Sequence, residues 1–501
     1  MAATTESAVQ RYRLYIDGEE VDASGGAVFP STNPATGEPW AEVADATAED
    51  VDRAVRAAAR AFAHDSPWRT LSATKRGRLL MRLADAITAH ADEIARIEVR
   101  ENGKLLKEMA AQLRVVPEWL YYFGGLADKI EGKTIPLDRT SVLNYTTREP
   151  LGVVGVITPW NSPSLLTFMT LAPALAAGNT IVVKPSEVTS ASLLEIARLL
   201  PEAGFPPGVI NVVTGARVAG QALAAHPGVA KIAFTGGSDA GRSIAATVGG
   251  RLGRVTLELG GKSPNIVFED ADLDAAEAGV LAGIYGAGGQ TCIAGSRAFV
   301  HESIYDELLD RLRRRAEGIV LGNPLEPETQ MGPAATEAQL QKIAQFVDDA
   351  RGEGARVVAG GQRGSVEALP NGFFYEPTIL AQITNESRVA QEEVFGPVLA
   401  AMPFRDDEEA IQLANATRYG LAAGIWTQNV KRAHRVARRL DAGTIWINLY
   451  RAITYNSPFG GFKESGIGRL NGVDAVDEFL QTKSVWVELS DDVQDPFVLK
   501  V

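Results

Sequence analysis

The sequence is short of cysteine, of long apolar runs and of positive charge, and each shortage excludes a class of protein. A single cysteine, Cys292, stands among 501 residues, so no disulfide forms within the chain. Apolar runs such as 151–157 are far shorter than the roughly 20 residues of a membrane-spanning helix. The 49 basic and 62 acidic residues give a net charge of −13, which argues against a nucleic-acid partner.

The start of the chain gives no sign of export, because residues 1–7 have neither a basic region nor an apolar region. With one free thiol and no predicted membrane span, we expect a cytoplasmic protein. The length predicts two or three domains, and the sequence contains neither an internal repeat nor a low-complexity segment.

Strand and helix patterns alternate in two stretches that follow a mostly helical N-terminal part. That part begins with a predicted β meander at 13–31, and its predicted helices span 47–62, 73–100 and 104–129. From Leu151 onward, short β-rich runs alternate with helical spacing, which is typical of a parallel sheet with crossover helices. The strands predicted here are 153–158, 180–184, 209–213 and 231–234, and the helices are 165–177, 191–203 and 217–226.

A second alternation after Gly261 predicts another α/β domain, so the expected fold class is α/β with a doubly wound, dinucleotide-binding part. Two runs, 141–146 and 484–488, lie outside both patterns and predict arms that pair beyond their own domain. The strands predicted after Gly261 are 263–268, 296–301, 356–359, 398–403, 421–427 and 443–447, and the helices are 272–285, 302–317, 407–415 and 429–440.

Cys292 follows two glycines, Gln290 and Thr291 instead of lying in an apolar periodic run. A thiol in such a turn is a candidate nucleophile, although a buried small hydrophobic residue is the commoner role of a free cysteine. Glu258 lies within the apolar run 257–259, where burial would raise its pKa toward neutrality and suit a general base. The alternative for Glu258 is an acid on the wet face of an edge strand.

Three further segments end predicted strands of the first sheet. The amide of Asn161 could donate to a developing oxyanion, or the residue simply forms a turn. The glycines of 234–241 would let the backbone approach a pyrophosphate at a helix start, or they form only a tight turn. Lys184 and Glu187 could hold the two ribose hydroxyls of an adenosine, and a solvated strand end is the alternative. An acid there would repel a 2′-phosphate, which favours NAD over NADP.

Together these segments resemble the aldehyde dehydrogenase superfamily from about residue 12 to about residue 488. The matching segments follow the family's order and are 158–161, 183–187, 234–236, 257–262, 289–292, 392–397 and 458–463.

The resemblance implies three structural parts: a Rossmann-like cofactor domain, an α/β catalytic domain and a small β oligomerisation arm. The cofactor domain would comprise 1–131 and 151–256, the catalytic domain 257–482, and the arm 132–150 and 483–501. A homodimer or homotetramer is implied as well, and we predict no metal site.

The activity that the resemblance implies is NAD-dependent oxidation of an aldehyde to a carboxylic acid. Cys292 would attack the aldehyde as a thiolate, and Asn161 with the backbone N–H of Cys292 would hold the oxyanion. Hydride would pass to NAD, and Glu258 would activate the water that hydrolyses the remaining thioester. By the same resemblance, the cofactor-binding residues are Trp160, Lys184, Glu187, Gly236, Ser238, Leu259, Glu393 and Phe395.

Eight residues would line the substrate tunnel or its mouth, and most of them are apolar and of medium size, which predicts a roomy pocket. Arg451 is the exception, and we expect it to contact a carboxylate or carbonyl of the substrate. A surface arginine paired with an acid is the alternative. The eight are Val115, Ser162, Leu166, Met169, Ile293, Arg451, Ile453 and Phe459.

Three positions depart from the family pattern. Leu470 stands where many members carry a glutamate, Gly237 stands where serine is common, and the loop after Gly215 is short.

Two rival functions are a CoA-acylating dehydrogenase, which needs no base such as Glu258, and a catalytically silent binding protein on this scaffold. The silent protein would have lost the thiol, the base or the oxyanion amide, yet all three are present.

Overall fold

A computed structural model of the protein describes residues 10–491 and residue 497. The outermost parts of the predicted cofactor domain and arm therefore lie outside the described residues. The strands are β1 (Gln10–Tyr12), β2 (Leu14–Ile16), β3 (Glu19–Val21), β4 (Val28–Asn33), β5 (Glu38–Ala44), β6 (Thr134–Ile135), β7 (Val142–Pro150), β8 (Val153–Ile157), β9 (Thr180–Lys184), β10 (Ile210–Val212), β11 (Lys231–Thr235), β12 (Arg254–Glu258), β13 (Pro264–Val267), β14 (Arg297–His301), β15 (Arg356–Ala359), β16 (Thr378–Ala381), β17 (Val398–Phe404), β18 (Tyr419–Gly420), β19 (Ala422–Trp426), β20 (Thr444–Ile447), β21 (Phe462–Lys463), β22 (Gly466–Ile467) and β23 (Leu480–Glu488).

The α-helices alternate with these strands over most of the chain. They are α1 (Ala48–Phe62), α2 (Ala73–Asn102), α3 (Leu106–Leu126), α4 (Pro163–Ala176), α5 (Ala191–Arg198), α6 (Leu200–Ala203), α7 (Arg217–Ala225), α8 (Ser238–Gly250), α9 (Leu273–Tyr285), α10 (Tyr305–Glu317), α11 (Glu337–Gly352), α12 (Arg388–Gln391), α13 (Asp407–Asn415) and α14 (Val430–Ala437).

Helix boundaries follow local sequence signals. Thr47 caps α1: the Asp50 N–H donates to the Thr47 hydroxyl at 3.4 Å, and the Thr47 N–H donates to the Asp50 carboxylate at 2.9 Å. Helix α2 ends at Gly103, which adopts a left-handed φ of 72°. The predicted helix 191–203 is divided into α5 and α6, because Pro201 has no N–H with which to continue α5.

The first large sheet has the strand order β22-β12-β11-β8-β9-β10-β2-β3 among the described residues. Five of these strands are mutually parallel: β12, β11, β8, β9 and β10. At the two ends of this parallel part, β22 pairs antiparallel with β12 and β2 pairs antiparallel with β10. Every residue of β8 and β9 is buried, since helices α1 and α4 pack against them. The predicted parallel sheet is confirmed, and the carboxyl ends of its central strands lie along one edge.

The second large sheet has the order β15-β16-β17-β14-β13-β19-β20, and only the β15–β16 pairing is antiparallel among the described strands. Strand β16 and helix α11 had no counterpart in the sequence prediction. Leu340, Ile343 and Phe346 of α11 are buried at helical spacing, so a signal for that helix was available.

The third sheet joins β23, β7 and β6. Strands β23 and β7 run antiparallel in continuous register from the Leu480–Pro150 pair to the Glu488–Val142 pair. The two runs predicted as separate arms therefore pair with each other. Trp486 and Leu489 at this sheet keep 63% and 64% of their surface exposed, which leaves large apolar side chains facing solvent.

None of the helices described within residues 10–491 is both long and apolar enough to cross a membrane.

Candidate active site

Three neighbouring parallel strands bring the predicted chemistry to one edge of the first sheet. Glu258 is the last residue of β12, Gly236 directly follows β11, and Asn161 lies in the turn after β8. Because β12, β11 and β8 are adjacent and parallel, their carboxyl ends meet at this edge. The side chains that the sequence separates by about a hundred residues thus converge.

Cys292 reaches the same edge on a loop with unusual backbone geometry. Ala287, Gly288 and Gly289 adopt φ values of 57°, 60° and 68°, all in the left-handed region. A Cβ on Gly289 would lie 2.1 Å from the carbonyl oxygen of Gly396, so only glycine fits there. Cys292 as a residue is partly buried. The glycines before the cysteine therefore serve a turn that packs closely on the 392–397 segment.

The Asn161 amide points to this loop. Its Nδ2 donates to the carbonyl oxygen of Gln290 at 3.2 Å, two residues before Cys292. The Gln290 side chain in turn donates to the Pro333 carbonyl at 3.1 Å and accepts from the Ala335 N–H at 2.9 Å. These hydrogen bonds fix the Asn161 amide against the loop that carries Cys292.

Glu258 is 4% exposed, and neither of its carboxylate oxygens has a hydrogen-bond partner among the described residues. Burial raises its pKa well above the usual value, Arg469 opposes that rise, and Glu478 adds to it. This environment favours the neutral carboxyl, and a raised pKa is the direction that the sequence predicts for Glu258.

Burial raises the pKa of Cys292 to about 12, and the carboxylates of Glu393 and Glu258 contribute to that rise. The Ile293 N–H and the Lys104 ammonium act in the opposite direction. The thiol is therefore protonated at rest, and its activation depends on the charges around it.

One cavity of about 170 Å³ joins these groups. Phe395, held at a left-handed φ of 59°, packs edge-on against Trp160 with ring centroids 5.1 Å apart. The Glu393 carboxylate accepts from the Gly261 N–H at 3.1 Å. Of the predicted site residues, the cavity is lined by Trp160, Asn161, Leu166, Gly236, Glu258, Leu259, Cys292, Glu393 and Phe395.

The other predicted cofactor residues lie along the same sheet edge, outside this cavity. The Lys184 ammonium donates to the Gly215 carbonyl at 2.9 Å and lies 3.7 Å from Glu187, whose side chain is half exposed. Ser238 begins α8, and its buried hydroxyl has no partner among the described residues. At Gly237 the backbone is open, since an added Cβ would meet no described atom within 4 Å. The Lys184 ammonium and the exposed Glu187 carboxylate fit the ribose of a dinucleotide. The Ser238 hydroxyl and the open backbone at Gly237 fit its pyrophosphate.

Seven of the eight predicted substrate residues do not line the cavity. Val115 is 43% exposed on α3, whereas Met169 is 1% exposed in the core. Arg451 has a left-handed φ of 65°, donates to the Ala282 carbonyl at 3.1 Å, and makes no ion pair with any described residue. The remaining four are Ser162, Ile293, Ile453 and Phe459, of which Ser162, Ile293 and Phe459 are buried and Ile453 is partly buried.

Two residues of the cavity wall, Gln339 and Lys342, were missed because helix α11 was not predicted. Gln339 donates to the Val394 and Phe395 carbonyls, both at 2.9 Å, and so supports the strained Phe395. Leu470, the position without the expected acid, is 2% exposed and exchanges backbone hydrogen bonds with Phe459.

Comparison with known proteins agrees with this geometry. The sequence profile described as "Aldehyde dehydrogenase family" matches residues 21–485. The chain is 45% identical to "(Z)-2-((N-methylformamido)methylene)-5-hydroxybutyrolactone dehydrogenase" of Acinetobacter baylyi, covering 98% of this chain and 100% of that protein. It is 43% identical to aldehyde dehydrogenase 1A1 of Homo sapiens, with 97% of each covered. The NAD+ complex of aldehyde dehydrogenase from Bacillus cereus superposes with a TM-score of 0.93 at 43% identity, covering 96% of this chain and 97% of that one.

The chain therefore belongs to the aldehyde dehydrogenase family. It is an oxidoreductase that uses NAD to oxidise an aldehyde to the carboxylic acid.

Proposed function

We propose that Cys292, Asn161 and Glu258 carry the reaction in this protein. The Cys292 sulfur bonds to the aldehyde carbon after its proton leaves, and the new oxyanion accepts from the Asn161 amide and the Cys292 N–H. Once that carbon has given up its hydride, the group left on Cys292 is a thioester, and Glu258 removes a proton from the water that cleaves it. The observation that supports these roles best is their meeting in one cavity from three separate segments.

Bound NAD supplies the acceptor for the hydride. Lys184 and Glu187 would hold the adenosine ribose, Gly236 and Ser238 the pyrophosphate, and Glu393 with Phe395 the nicotinamide ribose. Trp160 and Leu259 would pack beside the cofactor, since both line the cavity. The Ser238 hydroxyl, which has no partner among the described residues, could donate to the pyrophosphate, and the half-exposed Glu187 carboxylate could accept from a ribose hydroxyl.

Replacing Cys292 with alanine tests the nucleophile. We expect aldehyde-dependent NADH formation to fall by at least about 10³-fold, because no other thiol exists in the chain. NAD affinity, measured by fluorescence titration, should stay within about twofold of the unaltered enzyme. Turnover that persists in the Cys292→Ala variant would overturn the mechanism.

We further propose that the substrate carries a carboxylate or carbonyl group that Arg451 contacts. Its guanidinium has only the Ala282 carbonyl as a hydrogen-bond partner among the described residues, so donors remain for a ligand. Leu166, the one predicted tunnel residue that lines the cavity, would pack against the body of the aldehyde.

Arg451→Ala should lower kcat/KM about 10- to 100-fold for aldehydes with a carboxylate and leave neutral aldehydes unchanged, because one charged hydrogen bond is lost. A panel of acidic and neutral aldehydes measures this. Arg438→Ala, which removes the same charge from the exposed end of α14, is the control. Equal kcat/KM of the Arg451→Ala variant and the unaltered enzyme across the whole panel would reject the contact.

The domain assignment and the assembly are proposals as well. We take the first large sheet as the centre of the cofactor domain, the second as that of the catalytic domain, and the β6–β7–β23 sheet as the arm. The exposed Trp486 and Leu489 favour association of this arm with a second copy, as a homodimer or homotetramer in the cytoplasm.

A further inference from the structure

The junction between α2 and α3, residues 102–108, contacts both sides of the active site. Asn102 donates through Nδ2 to the Trp160 carbonyl at 3.4 Å. Lys104 donates to the Ser162 hydroxyl at 3.3 Å, and both residues are buried. Glu108 accepts from the Ala287 N–H at 2.8 Å. One short segment thus touches the turn that carries Asn161 and the loop that carries Cys292.

Lys104 is the unusual member of this junction. The residue is 3% exposed, and the Ser162 hydroxyl is the only hydrogen-bond partner of its ammonium within the described part of the chain. No carboxylate of the described residues lies within 4 Å of it. Burying an ammonium without a paired acid is costly, which makes Lys104 stand out among the buried residues of this region.

The charged groups around Lys104 come from four segments. Glu98 of α2 and Glu108 of α3 favour its charged form, as does Cys292, whereas Arg451 disfavours it. Burial outweighs these attractions and lowers the pKa of Lys104 to about 8. At neutral pH the group is therefore mostly protonated, and it loses its proton within the range where enzymes are assayed.

The side chains that shift the pKa of Cys292 are mainly acids. The carboxyl groups of Glu393 and Glu258 raise the pKa of Cys292, although burial raises the pKa of both acids as well. The buried Tyr450 hydroxyl donates to the carbonyl of Ile293, the residue after Cys292, at 3.0 Å. Lys104 supplies the one positive side chain among the main described groups that set the Cys292 pKa. Hydrogen bonds connect the two groups: the Lys104 ammonium donates to Ser162, and the neighbouring Asn161 amide donates to the Gln290 carbonyl, two residues before Cys292.

We propose that Lys104 is a positioning residue that stabilises the Cys292 thiolate by its charge and holds the oxyanion turn through Ser162. Deprotonation releases the thiol proton to solvent, and the ammonium forms no bond to sulfur; it only favours the charged product of that step. The proposal rests on Cys292 being the nucleophile. Lys104 would thus supply a positive charge to the active site, and it lies in a segment for which the sequence predicted only a helix.

Alkylation of the free enzyme by iodoacetamide tests the proposal, because Cys292 is the only thiol and the intact mass reports on it alone. Lys104→Met should slow alkylation about tenfold at pH 7, since loss of an opposite charge raises a neighbouring pKa by about one unit or more. Lys104→Arg should keep the rate at pH 7 within about threefold, because a permanent cation remains. Lys107→Met is the matched control: its exposed ammonium binds the Thr329 carbonyl at 3.0 Å, and its loss should change nothing.

The unaltered enzyme gives a second readout that survives any folding defect of the variants. Its alkylation rate should rise less steeply with pH once Lys104 loses its proton near pH 8, and this inflection should vanish in Lys104→Arg. A rise of unit slope from about pH 6.5 to about 9.5 in the unaltered enzyme, or an inflection that persists in Lys104→Arg, would overturn the proposal. Equal rates of Lys104→Met and Lys107→Met at pH 7 would overturn it too, while turnover by Cys292→Ala would instead reject the nucleophile itself.

Discussion

At the scale of single residues, the active site contains buried titratable groups that have few partners. Glu258 is buried without a hydrogen bond to any described residue, Cys292 is surrounded mainly by acids, and Lys104 has no described carboxylate beside it. Each of these conditions costs stability in the resting protein.

Glu258→Gln should separate the two halves of the reaction. We expect a burst of NADH of about one equivalent, followed by a steady-state rate lowered about 10²- to 10⁴-fold, because thioester hydrolysis loses its base. Since burial raises the Glu258 pKa, the steady-state rate of the unaltered enzyme should fall as pH is lowered through that raised pKa. Stopped-flow measurement of NADH at several pH values checks both points. Full steady-state turnover without a burst would contradict the role of Glu258.

At the scale of elements, the loop from α9 to Cys292 depends on close backbone contact. Gly289→Ala would force a Cβ into the Gly396 carbonyl at 2.1 Å, so the loop must move. We expect kcat to fall at least about 100-fold, since a displacement near 1 Å has that effect on a reacting group. NAD binding should be retained.

The control for this prediction is Gly249→Ala in α8, where no described atom lies within 4 Å of the added methyl group. Steady-state kinetics and thermal melting of both variants make the comparison. If the two alanine variants had the same kcat, the close packing of Gly289 would have no functional role.

The elements that could be predicted from the sequence are those with a strong local pattern. The parallel strands β8, β9 and β11 appear as short apolar runs, and the Thr47 cap is visible in the sequence. The motifs around Glu258 and Cys292 were identifiable because each contains unusual residues in an apolar or glycine-rich setting.

What the sequence did not predict depends on contacts between distant segments. The wall position of Gln339 requires α11 to pack against the 392–397 loop, and its hydrogen bonds to that loop are invisible in the sequence. Lys104 falls at the start of the predicted helix 104–129, whereas the structure places it in the junction before α3, and only its burial against Ser162 distinguishes it. Periodicity locates elements, whereas the environment of a charge follows from their packing.

At the scale of the whole molecule, the β6–β7–β23 sheet predicts self-association. Trp486→Lys places a charge on its exposed apolar surface, and we expect the dissociation constant between subunits to rise at least about 30-fold. Val430→Lys, which changes an equally exposed residue on α14, should leave the assembly intact. Sedimentation at several concentrations distinguishes the species. An unchanged mass for Trp486→Lys would show that this sheet is not the interface.

The pairing of β22 with β12 has a consequence for how the enzyme is made. Leu257 and Glu258 face Ile467 and Gly466, so the strand that ends in the base stays an open edge until almost the entire chain has been synthesised. Contacts so distant in sequence form late and slowly. A nascent chain on the ribosome would already contain its thiol, its amide and its base, yet it could not turn over an aldehyde before its last strands had emerged.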